Sequence, residues 1–368
     1  MRNWVYLFSG ACVCGFAAVE TDPVFFAEGD VALPRQASSG YSAPSAFSVR
    51  NPYGVFFDAS YLLWFVDEEG LDIATSLAYN SSQMTLSFGT DTGQILMQPS
   101  NYTSGFKLGC GYQTKEERLG VRAEYTYLNH SSSQSIAAAN PGNGQSAWGV
   151  TSWFLQTGVS GQSLAATAFP SRWDLFLNWI DFVVDRSFYS GRYLTLDPFF
   201  GIRGSWLTQS LRIKAQNTLN NSSPGIDLFS HNHLQSWGVG PRAGFNGRWL
   251  LGSDWKFIGG MGASLLYTRY IYIKHSEDPF VVGGNPVSFR YDGYGSVRPA
   301  AEANIGLAWG TYFCDNRYHV DLSATYEWNY LWSQNMLRYA NDQWIFGTGA
   351  AAGNLAFHGL TATVLMHF

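Results

Sequence analysis

The sequence predicts an all-β fold, an antiparallel transmembrane β-barrel, and three observations carry that prediction. In the final stretch, residues 358–368, Leu360, Ala362, Val364, Met366 and Phe368 share one face. Gly359, Thr361, Thr363 and His367 share the other, with Leu365 the exception. A period of two marks a strand with one apolar face, and a strand that ends the chain on an aromatic must close a sheet. Charged residues make up only 13% while aromatics make up 17% and glycine numbers 39, yet mean hydropathy is −0.09. Apolar residues balanced by uncharged polar ones suit a wall between lipid and water. Finally, short polar turns and long polar segments alternate along the chain, as transmembrane barrels arrange them.

The N-terminal residues point to export. Arg2 and Asn3 precede an apolar run over residues 4–19, with Gly15 and Ala17 before a cleavage point. Residues 1–17 read as a secretory signal peptide, the run being shorter than the ~20 residues of a spanning helix. Residues 18–53, rich in Pro, Ser and Ala, read as a periplasmic lead-in, and the barrel is placed at 54–368. Loss of the signal removes Cys12 and Cys14 and leaves Cys110 and Cys314 in a compartment that permits disulfides. The sequence leaves open whether these two pair, cross-link neighbours or stay reduced. Two such distant cysteines make poor zinc ligands, so no metal and no cofactor is expected.

Along residues 54–66 the odd positions Val55, Phe57, Ala59, Tyr61, Leu63 and Phe65 form an unbroken apolar row. Residues 67–103 are mixed, and 73–79 and 84–88 read either as short strands inside a loop or as two further spanning strands. Phe106, Leu108, Cys110 and Tyr112 share a face, as do Val121, Ala123, Tyr125 and Tyr127 beyond the turn 113–118. Residues 129–171 form a Ser, Asn, Gly and Ala segment broken by an aromatic island at 148–154. Residues 173–185 are apolar on both faces apart from Asp174, Asn178, Asp181 and Asp185. Leu194, Leu196, Pro198, Phe200, Ile202 and Trp206 alternate with polar neighbours, and 214–235 reads as a loop. Residues 237–249 and 255–267 form a hairpin, 274–295 a loop, and 297–309 and 318–332 another hairpin. The last loop spans 333–353. Ten strands are thus predicted, or twelve to sixteen if the mixed segments add pairs, and an even number leaves both termini periplasmic. Aromatics at strand ends (Trp237, Trp249, Trp255, Tyr267, Tyr318, Trp328 and Trp332) suit interfacial girdles. Pro198, Pro241 and Pro299 fit central strands poorly, and a soluble sandwich or propeller is the competing fold.

Opposite the apolar rows stand Arg122, Arg203, Arg242, Arg248 and Arg298, with Glu124, Asp197, Glu302, Asp321 and Glu327. Charges of both signs along a narrow aqueous path select solutes by size and sign, so these ten are predicted to line a pore with weak selectivity. Equally, they can neutralise one another inside a plugged wall. Segment 129–171, with Trp148, Trp153, Phe154 and Leu155, is the candidate constriction loop, since such a patch is costly in water. It reads equally as an adhesive tip or as more strands. An outer-membrane hydrolase would need a base beside a nucleophile. His231, His233, His275, His319 and His358 show no spacing that singles one out, so no catalytic residue is assigned. The net charge of −5, with no basic stripe, argues against nucleic acid. An adhesin or structural envelope protein without transport is the other alternative.

Several segments resemble a known family: Trp173-Asp174 with residues 185–192, the run 238–244 (Gly-Val-Gly-Pro-Arg-Ala-Gly), and Tyr312-Phe313-Cys314-Asp315 with 319–323. With the early Asp58-Ala59-Ser60-Tyr61-Leu62-Leu63-Trp64 they are similar to the Legionella-type and chlamydia-like major outer membrane protein family, over residues 54–368. The resemblance implies a porin-like barrel in the bacterial outer membrane that passes small hydrophilic solutes. It also implies homo-oligomers or disulfide linkage, and contact with a host surface. Outer-membrane lipid would surround the barrel, and the terminal Phe368 would be its insertion signal, read by barrel-assembly machinery.

Overall fold

The computed structural model describes residues 54–80, 85–87, 95–114, 119–135, 146–150, 153–155, 165–186, 188–189, 193–218, 225–252, 254–279, 284–315, 317–339 and 352–368. The expected signal peptide and lead-in lie outside the described residues. In chain order the strands begin with β1 (Val55–Glu68), β2 (Asp72–Asn80), β3 (Thr85–Ser87), β4 (Ile95–Met97), β5 (Asn101–Gln113) and β6 (Leu119–Gln134). They continue with β7 (Ser146–Val150), β8 (Ala165–Ala168), β9 (Ser171–Arg186), β10 (Phe188–Tyr189) and β11 (Leu194–Thr218). Last come β12 (Leu228–Gly252), β13 (Trp255–Glu277), β14 (Val287–Phe313), β15 (Tyr318–Asn335) and β16 (Gly353–His367).

Ten strands, β1, β5, β6, β9 and β11 to β16, pair antiparallel in chain order, and β16 returns to β1 from Phe56↔His367 to Glu68↔Leu355. The terminal strand therefore closes the ring, which leaves no edge in lipid. The mixed segments add no spanning strands among the described residues. Instead β2, β3, β4, β7 and β8 form a small sheet joined to the far end of β11 through Gln216↔Ala168 and Thr218↔Ala166.

Alternation along the strands is regular, but its meaning changes with height. On β11, Pro198, Phe200, Ile202 and Trp206 face outward, and Asp197, Arg203 and Ser205 face in. Beyond Trp206 the outward residues become Thr208, Ser210, Arg212 and Lys214, while Leu207, Leu211, Ile213 and Ala215 fill the interior. β9 does the same: Phe176, Ile180, Phe182 and Val184 point out, and Trp173, Leu175, Leu177 and Trp179 are buried at its outer end. Two faces of opposite polarity, exchanged halfway, explain a strand that reads as apolar on both. β11 and β12 have 25 residues each, more than twice the roughly ten that a tilted strand needs to cross a bilayer. Their outer halves stand in water, so burial drives the apolar side chains inward there. The single rule of apolar outside and wet inside holds only for the inner half.

The same extension corrects the loops. Residues 214–218 and 228–235 belong to β11 and β12, and 274–277 and 287–295 to β13 and β14. An extra residue at Ile271, between Ser236↔Tyr270 and Gln235↔Tyr272, makes a bulge that puts Ile273, His275 and Glu277 inside. Each central proline sits where a ladder is interrupted. β9 pairing starts only at Phe199, β15 pairing only at Ala300, and β13 pairing skips from Val239 to Arg242 around Pro241. A proline's missing N–H costs nothing at such a gap.

Candidate functional site: a charged chamber below an apolar plug

The outer half of the barrel is filled. Leu62, Trp64 and Val66 of β1 pack with Leu207, Leu211, Phe357 and the buried residues Leu71, Ile73, Leu96, Phe169, Met336 and Leu337 of the connections. The turn 153–155 sits among them, with Trp153, Phe154 and Leu155 all buried. The Trp153 indole N–H donates to the Asp72 carbonyl at 2.6 Å, and Ser230 Oγ donates to the Trp153 carbonyl at 2.7 Å. The Leu155 amide donates to the Glu277 carboxylate at 2.7 Å. Arg338 pairs with Asp72 at 2.5 Å and lies 5.7 Å over the Trp153 ring. Three connections are thus latched together inside the mouth, and the aromatic island's tip does fold into the lumen. The Trp148 side chain lies outside the described residues.

Below this plug the inward faces turn polar and enclose a chamber of about 360 Å³. Nine of the ten charged residues predicted from alternation line it: Arg122, Glu124, Asp197, Arg203, Arg242, Arg248, Glu302, Asp321 and Glu327. Arg298 does not, lying higher, 5.9 Å from the Tyr270 ring and 3.5 Å from the Met336 sulfur. Alternation missed Asp58, Lys107, Asp181, Asp185 and Lys256, which also line the chamber. The signal was present, since Asp58, Lys107 and Lys256 each stand between two outward apolar residues.

The charges are cross-braced rather than stacked in free rings. Arg203 holds Asp181 with two hydrogen bonds of 2.7 and 2.8 Å and reaches Glu302 of β14 at 2.8 Å. Arg242 donates to the same Glu302 at 2.7 Å and lies 3.5 Å from Asp181, closing a four-membered network. Lys107 of β5 meets Glu327 of β15 at 2.6 Å, and Arg122 of β6 meets Asp58 of β1 at 2.9 Å and Glu124 at 2.5 Å. Arg248 pairs with Asp197 at 2.7 Å and Lys256 with Asp321 at 2.6 Å. Arg203 also stacks 4.6 Å from Trp179, Lys107 5.1 Å from Trp64 and Arg242 5.0 Å from Phe199. The cations therefore tie the polar chamber to the rings around it. Desolvated charges persist only with such partners.

Other predicted residues are dispersed. Cys110 faces outward on β5, and Cys314 lies in the β14–β15 turn; both thiols are exposed. Three to four strand spacings separate β5 from the β14–β15 turn, roughly 14 Å or more, beyond the ~7 Å limit of a disulfide, so the two do not pair within one chain. Phe368 packs edge-on against Phe57 and Tyr318, and its amide donates to the Val55 carbonyl at 3.0 Å. Of the histidines, His231 and His233 stack on Phe229 and Tyr272, His275 bonds Asn232, and His358 bonds Tyr326.

A closed antiparallel ring with an outward apolar band, aromatic residues at its borders and polar residues within it defines an outer-membrane β-barrel. The chain belongs to the family of the Legionella pneumophila major outer membrane protein precursor, whose model matches residues 68–368. No protein of curated function matches it. Among solved structures it is similar to the outer membrane protease OmpT of Escherichia coli, at 11% identity and TM-score 0.38, covering 89% of this chain and 100% of that one. A major outer membrane protein from Thermus thermophilus aligns at 9% identity and TM-score 0.26, covering 86% and 100%. Ail, the attachment invasion locus protein of Yersinia pestis, aligns at 9% and 0.21, covering 85% and 97%. Likeness this distant carries no argument about activity.

Proposed function

We propose that the chain is a gated outer-membrane channel for passive diffusion of small hydrophilic solutes, open only when the latched plug moves. The observation that supports this is the charged chamber lying directly beneath a plug built from connections rather than from wall strands. Chamber and plug meet at Arg203, Lys107 and Trp179, so displacing the plug would open the chamber outward, past the apolar inward faces of Leu207 and Leu211. The lining carries six cationic against eight anionic side chains, which favours a modest cation preference in the open state. Refolded protein in planar bilayers is expected to give rare, small openings. Substituting Arg338→Ala, which unties Asp72 and Trp153, is expected to make them several-fold more frequent. No conductance from either form would overturn the reading.

A second reading, an envelope or adhesive protein without transport, is favoured by the dense packing of the outer half. Liposome swelling separates the two. Swelling with small sugars supports the channel, whereas binding of cells without swelling supports the second reading.

A further inference from the structure

At the periplasmic mouth of the chamber, three side chains from the two last strands converge. β15 places His319 and Asp321 two residues apart on its inner face, and His367 of β16 lies directly across from His319 in the ladder. The imidazole centroids are 6.0 Å apart, and His319 Nδ1 is 3.5 Å from Asp321 Oδ2. One donor atom from each of the three lies within 4.8 Å of the others, and all three residues are buried. Tyr312 flanks the His319 ring at 4.6 Å and Phe56 the His367 ring at 5.4 Å, fixing both planes. Lys256 holds Asp321 Oδ1 at 2.6 Å, which turns Oδ2 toward His319.

We propose that His319, Asp321 and His367 form a binding site for a divalent transition-metal ion of the zinc class, open to the chamber. Two imidazoles and one carboxylate suit such ions, and three protein ligands leave a fourth position for water or solute. Metal–ligand bonds of about 2.1 Å in a tetrahedral site set donors roughly 3.4 Å apart. Closing from a separation of up to 4.8 Å therefore needs ring and carboxylate shifts that together reach about 1.4 Å. Lys256 orients the carboxylate as an outer partner does, while its charge opposes the ion. The ion would tie β15 to β16 beside the closing seam with β1, and would stabilise the folded ring by mass action. This site stands whether or not the barrel conducts.

Zinc titrated calorimetrically into the full refolded chain in detergent is expected to bind once per chain and to raise the thermal unfolding midpoint. His319→Ala and His367→Ala are each expected to weaken binding by about tenfold or more, and Lys256→Met to strengthen it. His231→Ala with His233→Ala, on the outward face of β12, is expected to change nothing. Heat-modifiable gel mobility reports that each variant is folded. Absence of zinc binding by the parent protein, or undiminished binding by a folded His319/His367 double variant, would overturn the proposal.

Discussion

Arg203 is gripped by Asp181 and Glu302 while its guanidinium lies on Trp179. Replacing it by Met strands two carboxylates beside Arg242 alone. Leaving a buried charge without its partner costs about 3–5 kcal/mol, and the remaining arginine should keep Arg203→Met near the lower end in urea unfolding. Lys at this position should recover only part, because an ammonium cannot make the planar double contact. Gly240 marks a different constraint: a Cβ there would clash with the Leu265 carbonyl oxygen. Gly240→Val should force β12 from β13 and lose about 1–3 kcal/mol, read in the same unfolding experiment. A water-soluble maleimide should modify Cys314, in a turn, much faster than Cys110, which faces the lipid band between Leu108 and Tyr112. At this scale alternation reveals which face a charge occupies but not its height. Arg298 and Arg242 look alike in sequence, yet one sits under Met336 and the other in the chamber.

Among the elements, the plug depends on contacts that no local pattern announces. That Trp153, Phe154 and Leu155 are too apolar for open water is readable. That they meet Asp72, Ser230, Glu277 and Arg338 is not, because those partners are 77 or more residues away. Trp153→Ala should cost about 3–5 kcal/mol and raise conductance in bilayers; lost stability with unchanged conductance would mean the turn is structural only. Strand length was hidden for a related reason. Outside the lipid the outward positions become Thr, Ser, Arg and Lys, so 214–235 and 274–295 resemble loops although they are largely laddered. Alternation persists there with its two faces exchanged.

For the whole molecule, strand number and closure were legible because parity, short turns and a terminal alternating strand all restrict the same ring. The small sheet of β2, β3, β4, β7 and β8 was legible only in part: 73–79 and 84–88 read as short strands, whereas the pairings of β7 with β2 and of β8 with β11 cross long separations. Phe368 touches β1 and β15 on either side of the strand that joins them. Phe368→Ala should therefore lower the fraction of heat-modifiable barrel in outer-membrane fractions, with normal levels removing any role for the ring in assembly. The strands standing clear of the bilayer have one more implication. A rim made of hydrogen-bonded ladder offers antibodies or phage only every second side chain. Escape substitutions could then accumulate at sites such as Thr208, Ser210 and Arg212 while Gln209 and Leu211 between them stay fixed, so surface variation in relatives should come with a stride of two.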